Sequence, residues 1–470
     1  MTTKKNRYEL DPERLATTDE AGHRVYLYPE DTEGKWKDRR KIFYWFLIVV
    51  YLVLPWFYIK GKPFLMIDIA HREFTFMGST LHGVEPILMF IVVISGLFFI
   101  AFMTSIFGRV WCGWACPQTV FIQSIFMKIE TLVEGRARAR RELAEAPWSF
   151  NKFARRSIKW ILFTIISLHI THTFLGYFVG PRELVQMSMH SPGENPGVFM
   201  AMLICTGIIL FDFGWFREQF CIIACPYGRM QSVLMDENSL VVAYDTNRGE
   251  PRRTVALSRA EEGDCINDYA CVRVCPTGID IRRGIQMECI ACTQCIDACD
   301  DIMRKINKPE GLIRYSSEVE LAGGKHKFVT IRSMIYLFIS MAFIVSFFFF
   351  LSRSTNLSYV FIRGSIPFTV SKDATGKEIV LNNFQVKIVH QGEKAHHLEF
   401  KVHENELKNK VEIITPMKPI NIDQAEVKIM MFFKFDPSIL INGTKTITME
   451  AVEDDKVIST TPVVLVGPSK

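Results

Sequence analysis

The twelve cysteines of this 470-residue chain all lie between Cys112 and Cys299, at short spacings. Bunching of this kind suits metal or cluster ligation better than a disulfide framework. The tightest group is Cys289-x2-Cys292-x2-Cys295-x3-Cys299. The first three such thiolates cap three irons of one [4Fe–4S] cube, and the fourth ligates the other cluster in two-cluster ferredoxins. An upstream set, Cys265, Cys271 and Cys275 followed by Pro276, supplies the partner. Crossing the ligands predicts one cluster on Cys275, Cys289, Cys292 and Cys295. The second takes Cys265, Cys271, Cys299 and one further ligand. The spacing asks for cysteine at position 268, where the chain has Asp268. A carboxylate is a harder ligand than a thiolate. The expectation there is a [4Fe–4S] cluster with one labile iron, or a [3Fe–4S] cluster, at a shifted potential. Zinc is the competing occupant, but its sites usually group two Cys-x2-Cys pairs.

Two further pairs, Cys112/Cys116 and Cys221/Cys225, share the spacing Cys-x3-Cys and are each followed by proline. On a helix, positions i and i+4 lie on one face. Each pair then offers two thiolates to a soft metal such as Cu(I), to zinc or to an iron–sulfur cluster. If the pairs meet, they make a four-thiolate site. The competing reading is four buried small residues, and for the solitary Cys205 that reading is preferred. His169 and His172 share a face of a hydrophobic run. Ionisable groups there are functional candidates by default, with an interhelical hydrogen bond as the alternative. Met187, Met189 and His190 form a soft cluster suited to Cu(I). His396 and His397 read as solvated surface, and the basic run Arg136 to Arg141 as a topology determinant near lipid headgroups.

The elements that position these residues follow from hydropathy. The chain is 49% hydrophobic and 22% charged, and the two classes occupy different stretches. Five runs are long enough to span a bilayer at roughly 20 residues each. They are Ile42 to Ile59, Ile87 to Phe107, Ile158 to Val179, Val198 to Phe216 and Ile331 to Leu351. Pro55 predicts a kink or early end in the first. No cleavable signal peptide is visible, so this run is expected to act as an uncleaved anchor. Lys and Arg alternate in density between successive loops. Ten precede residue 42, three lie between spans one and two, one lies between spans three and four, and sixteen lie from Arg217 to Arg332. The positive-inside rule then places the N-terminus and the cysteine-rich stretch in the cytoplasm and the C-terminal tail outside. The net charge of +5 gives no nucleic-acid signal.

The tail alternates apolar and polar residues at Phe384, Val386 and Ile388, at Leu398, Phe400 and Val402, and from Val427 to Phe435. Period two means half-buried strands, and Asn442-Gly443 marks a turn. A β-sandwich of immunoglobulin-like type is predicted, without the disulfide of antibody domains. The expected organisation is a cytoplasmic segment 1–41, a four-helix membrane domain 42–216, a ferredoxin-like domain 217–330, a fifth transmembrane helix 331–351 and a β-sandwich 355–470. The two Cys-x3-Cys-Pro motifs each follow a hydrophobic helix, so the membrane domain reads as duplicated helix pairs.

FGRVWCGWACPQTV from Phe107, WFREQFCIIACPYGRMQSV from Trp215, GDCINDYACVRVCPTGIDIRRG from Gly263 and ECIACTQCIDACD from Glu288 resemble the CcoG/FixG/RdxA family of cytochrome c oxidase accessory proteins. The resemblance covers nearly the whole length and departs from the family pattern at Asp268. It implies a multi-pass protein of the bacterial inner membrane, with a periplasmic C-terminal domain, that assists assembly of cbb3-type cytochrome c oxidase. It further implies reduction of Cu(II), the substrate, to Cu(I). Electrons would come from the clusters, and Cys112, Cys116, Cys221 and Cys225 would be the copper-handling thiols. The implied partners are a cytoplasmic electron donor, a copper exporter or chaperone, the oxidase assembly machinery, membrane lipid and a second copy of the chain. Two rivals stand beside this reading. In one, the chain passes electrons between quinol and the clusters, with further iron–sulfur centres on the Cys-x3-Cys pairs. In the other it is a non-catalytic assembly scaffold.

Overall fold

The computed structural model describes residues 16–468, apart from 20, 22, 60, 70–72, 78, 83–85, 254–261, 354–356, 365, 373–376, 391–395, 404–406, 408–409, 417–419, 423–425 and 454–455. The chain divides into two units. One comprises Met1–Ile69, Thr75–Ser79 and Met89–Ser346, and the other Ala70–Phe74, Thr80–Leu88 and Phe347–Lys470.

Among the described residues of the chain, four helices are long and apolar enough to cross a membrane: Phe90–Phe107, Phe150–Val179, Pro196–Phe216 and Ile331–Phe350. Most of their residues are not buried within the protein. Helices apolar all round and left uncovered are membrane spans rather than core. The first hydrophobic run differs from expectation. Its helix, Lys35–Val53, opens on the charged stretch KWKDRRK and gives way to a 3-10 turn at Leu54–Trp56, with Pro55 at its start. The apolar part, residues 42–53, is about 18 Å long at 1.5 Å per residue, short of the roughly 30 Å hydrocarbon core. The structure therefore offers four helices of spanning length where the sequence suggests five.

The first of these units is knitted by aromatic packing and by one buried charge cluster. Phe126 is fully buried, with ring centroids 4.8 Å from Phe163 and 5.5 Å from Phe213. Beside them Glu130, 1% exposed, takes Arg140 at 2.9 Å, Arg217 at 3.0 Å and a hydrogen bond from Tyr26 at 2.9 Å. Lys159 lies 2.8 Å from Glu134 and 3.9 Å from Glu130. Burial alone raises the Glu130 carboxyl. The charges of Arg217, Lys159 and Arg140 overcome it and hold the group below its ordinary value. Arg140, read from sequence as part of a headgroup-facing run, is thus a buried structural ion.

The cysteine-rich segment folds around a two-stranded antiparallel sheet, Val241–Tyr244 with Ile313–Ser316. Helices Ala270–Arg273 and Gln294–Lys305 complete it. It is docked onto the helix Lys35–Val53 by Asp297, whose carboxylate accepts from the N–H of Trp36 at 3.1 Å and of Lys37 at 2.8 Å. A helix start leaves its first N–H groups unpaired, and here a side chain from elsewhere in the chain satisfies two of them.

The second unit contains two antiparallel sheets. One has five strands: Val411–Ile414, Glu426–Phe435, Glu378–His390 and Leu357–Arg363 in that order, with Thr369–Lys372 also on Glu378–His390. The other runs Ile420–Ile422, His396–Val402, Thr444–Glu453, Lys456–Val466. Val380, Phe384, Val386 and Ile388 face inward at the expected period, and meet Leu398, Phe400, Met431 and Phe433 in one core. Asn442 and Gly443 both have positive φ, as the turn signal requires. The turn is closed by reciprocal backbone hydrogen bonds between Ile441 and Thr444 at 2.9 and 3.1 Å, and the longer strands to either side of it, Glu426–Phe435 and Thr444–Glu453, belong to different sheets.

Glu130→Gln should lower the thermal stability of the detergent-solubilised protein by about 3–5 kcal/mol, because it strands buried cations. A carboxyl depressed on folding stabilises above its unfolded pKa. The wild-type advantage over the Gln variant should therefore fade as pH falls through the depressed folded value, and melting curves at neutral and acidic pH measure it.

Candidate metal centre

The two cysteine loops share one backbone design. In Cys289-Ile290-Ala291-Cys292-Thr293-Gln294-Cys295, Ala291 and Thr293 have φ of 52° and 61°. In Cys265-Ile266-Asn267-Asp268-Tyr269-Ala270-Cys271, Asn267 and Tyr269 both have φ of 60°. The left-handed region costs a non-glycine residue roughly 1–2 kcal/mol, and such strain clusters at functional sites. The same alternation in both loops wraps each around a common centre. It puts Asp268 at the position that Cys292 holds in the other loop.

Each loop encloses a cavity. One, of about 20 Å³, is lined by Cys275, Cys289, Cys292 and Cys295, with Ile279, Ile281 and Val242. The other, also of about 20 Å³, is lined by Cys265, Asp268, Cys271 and Cys299, with Tyr244 and Arg282. These are the two crossed sets expected from spacing, and Cys271 borders both cavities. Among the described residues, no group of three or more His, Cys, Asp or Glu side chains is placed to hold a single metal ion. A cube of irons needs ligands spread around it rather than converged on one point. The donors' chemistry fits such a centre. Burial and neighbouring charge push the Cys289 and Cys299 thiols up to about 12, and drive Cys271 and Cys295 upward as well. Thiols in this state deprotonate when a metal takes the proton's place. The Ala291 N–H donates to Cys289 Sγ at 3.4 Å, and Thr277 Oγ1 lies 3.3 Å from Cys275 Sγ.

The cavities differ electrostatically. The first is lined by thiols, apolar side chains and the hydroxyls of Thr277 and Thr293. The second has the Arg282 guanidinium in its wall, held by Asp280 at 2.8 Å and stacked over Tyr269 at 4.2 Å. Asp268 borders this cavity but also lies 3.7 Å from Arg273, so its carboxylate has two claims on it.

The Cys-x3-Cys pairs are not on regular helix faces. Cys112 lies in the short helix Val110–Trp114, while Cys116 is extended and caps the next helix, Pro117–Phe121. Cys221 lies in the π-helical turn Phe220–Ala224, and Cys225 caps Pro226–Leu234. Proline after each second cysteine breaks the helix and restarts it. The pairs are near enough to influence one another: burial pushes the Cys112 thiol up to about 12, with Cys116 and Cys225 adding to it, and all three raise that of Cys221, although among the described residues these thiols too are not placed to hold a single metal ion. Cys112 Sγ donates to Gln231 Oε1 at 3.2 Å.

This quartet touches the first cysteine loop. A Cβ on Gly113 would lie 2.5 Å from the Ala291 carbonyl oxygen and 2.6 Å from that of Ile290. Tyr315 donates to the Ala291 carbonyl at 3.1 Å and accepts from Trp114 Nε1 at 3.1 Å. Arg40 donates to the Cys292 carbonyl and to Tyr44, which donates to the Gly113 carbonyl. Arg109 donates to the carbonyls of Met287 and Gly228, tying the loop before Cys289 to the helix after Cys225. Sequence reading passed over Arg40, Tyr44, Arg109 and Gly113. The glycine between Cys112 and Trp114 was the available signal for a close approach.

The remaining candidates stay apart from this assembly. His169 is exposed, and His172 lies 3.4 Å from Ser188 Oγ. His190 donates from Nδ1 to the Gln186 carbonyl at 2.8 Å, Met187 is half-buried and Met189 is exposed. Cys205 is free and half-buried. His396 and His397 open a strand, and their side chains lie outside the described residues.

A family profile described as a 4Fe-4S dicluster domain matches residues 216–318, and one described as a 4Fe-4S binding domain matches 89–134. The protein RdxA of Cereibacter sphaeroides is 38% identical over 301 residues, 62% of each chain. The nitrogen fixation protein FixG of Rhizobium meliloti is 35% identical over 300 residues, 62% of this chain and 57% of that one. Over these residues the chain is similar to the FixG and RdxA proteins. The matches span less than two thirds of either relative's length. A crystal structure of a FixG-related protein from Vibrio parahaemolyticus aligns with 24% of this chain and 97% of its own, at 14% identity and a TM-score of 0.19. The first profile takes in Cys221, Cys225 and both cysteine loops, and the second takes in Cys112 and Cys116.

If the Asp268 carboxylate holds iron, Asp268→Ala should cost the second cavity iron while leaving the first loaded. Asp268→Cys should keep full loading with an altered potential. Iron analysis with EPR redox titration measures both, and two variants indistinguishable from wild type would remove Asp268 from the ligand set.

Proposed function

We propose that the protein is a membrane-bound iron–sulfur electron carrier that delivers electrons to the Cys112/Cys116/Cys221/Cys225 quartet, where Cu(II) is reduced to Cu(I) for assembly of a cbb3-type oxidase. Cys275, Cys289, Cys292 and Cys295 would hold one [4Fe–4S] cluster. Cys265, Asp268, Cys271 and Cys299 would hold the other, with [3Fe–4S] as its reduced-nuclearity form. Each cluster, when bound, takes up and releases one electron. The lysine and arginine bias of the loops supports a bacterial inner-membrane protein with a cytoplasmic N-terminus and a periplasmic β-sandwich. A donor that reaches it from the cytoplasmic side and a copper exporter or chaperone are its proposed partners.

The observation that carries the relay is the contact of Gly113 with Ile290 and Ala291. It sets the residue after Cys112 against the backbone between Cys289 and Cys292. Cys271, bordering both cavities, links the second centre to the first. Arg40 and Arg109 fix the loop against the quartet, so the separation between donor and acceptor is set by backbone. Thiolates bind Cu(I) in preference to harder ions, so the quartet favours the product of Cu(II) + e⁻ → Cu(I). A second reading places a further iron–sulfur centre on the quartet, and the 4Fe-4S profile over residues 89–134 favours it.

An anaerobic Cu(II)-reduction assay on cluster-replete protein tests the first reading. Cys112→Ala/Cys221→Ala should lower the rate at least tenfold at unchanged ferredoxin-domain iron. Equal rates would sink it. Iron clearly above roughly eight per chain, falling in that variant, would establish the second reading instead. Gly113→Ala, which forces a methyl against two backbone carbonyls, should slow Cu(II) reduction while leaving cluster reduction by dithionite unchanged.

A further inference from the structure

A cavity of about 430 Å³ opens beside the first cluster site, with Cys289 and Ala291 in its wall. Its size is within the range of small-molecule sites. Val242, Met235, Ile285 and Met287 give it an apolar side. The segment that builds it is pinned to the ends of two candidate spans. The Leu240 N–H donates to the Ile106 carbonyl at 2.9 Å, and Ser239 Oγ to that of Ser105 at 2.6 Å, at the end of Phe90–Phe107. Arg332, in the first turn of Ile331–Phe350, donates to the carbonyls of Met235 at 3.3 Å and Val233 at 2.9 Å. The cavity therefore lies where two helices leave the hydrocarbon layer, against a cluster ligand.

The charges select what enters. Asp236, Glu237 and Glu318 line the cavity, and the Val319 N–H, bonded to the Glu237 carbonyl at 3.2 Å, ties together the two segments that carry the exposed glutamates. Neither glutamate forms an ion pair among the described residues. Among the described residues the one lining cation, Arg109, is buried and spends its guanidinium on the carbonyls of Met287 and Gly228. A phosphate-bearing nucleotide meets repulsion here, and a neutral carrier does not.

We infer that this cavity binds a lipid-soluble hydroquinone and is where electrons enter the protein, an assignment that rests on the cluster reading above. The hydroquinone loses both O–H protons, to the carboxylates of Glu237 and Glu318 and from there to water. Its two electrons leave one at a time through the Cys289 side of the cavity, and a quinone remains. A two-electron donor needs two one-electron acceptors, and the cavities joined at Cys271 supply them.

Photoaffinity labelling of cluster-replete protein with an azidoquinone tests the site independently of turnover. The label should map to peptides containing residues 235–242 or 285–291. It should be lost in Ile285→Trp, which fills the cavity, at unchanged iron content. Glu237→Gln/Glu318→Gln should keep the label and slow cluster bleaching by a soluble hydroquinone at least tenfold, with dithionite bleaching unchanged. Absent or Ile285-insensitive labelling of protein with full iron and normal dithionite bleaching overturns the site and leaves the cluster reading standing. Protein that holds no iron after anaerobic reconstitution overturns both. An unchanged bleaching rate in the double variant overturns the glutamates' role as proton acceptors.

Discussion

The structure depends on one close approach. Gly113 stands where any side chain would collide with the carbonyls of Ile290 and Ala291. That contact joins the turn after Cys112 to the loop between Cys289 and Cys292. Backbone against backbone is the shortest separation two loops can reach. The surrounding polar contacts hold it rather than create it: Arg40 and Tyr44 from one side, Arg109 from another, Trp114 and Tyr315 from a third. Asp297 does the same at longer range by capping the helix that carries Arg40 and Tyr44. Chemistry that needs short transfer distances is served by this rigidity.

The repeated left-handed residues explain how one loop design serves two unlike environments. Alternating conformations turn successive N–H groups toward the enclosed centre, which favours bound negative charge. The environments then diverge through side chains. One cavity is walled by valine and isoleucine, the other by Arg282 and Asp268. A guanidinium beside an iron–sulfur centre stabilises its more negative, reduced form, whereas apolar walls disfavour added charge. The two sites are thus built with different affinities for an electron from nearly the same backbone.

What the sequence made legible and what it hid divide along physical lines. The crossed sets, with Asp268 among them, were legible because they keep ferredoxin spacing, and they line the two cavities. The inward faces of the sandwich strands were legible because a pleat has period two. The first hydrophobic run was legible in part: Pro55 signalled its early end, and the helix gives way to a 3-10 turn at Leu54–Trp56, while the charged stretch that opens the helix lay outside the run. The i, i+4 argument for Cys112 and Cys116 failed for a related reason, since Pro117 resets the backbone at Cys116. Arg140 looked like one more surface cation because its partner, Glu130, is on a different helix, and a single long-range pairing leaves no periodic trace.

The position of the two cavities also bears on the order of events. The Cys289 cavity touches the quartet through Gly113, while the Asp268 cavity reaches it only by way of Cys271. A single file would place the Arg282-walled site at the entrance. If electrons enter at the Cys289 cavity, as proposed above, the first site is the junction and the second a side store. A store is useful when the supply comes in pairs and the demand in single electrons, as in the proposed feeding of Cu(II) by a hydroquinone. The positive charge of Arg282 suits that role, because it favours holding an electron until the junction is empty. The asymmetry between the two cavities, which looks like a defect if both are links in one chain, is what a branched arrangement requires.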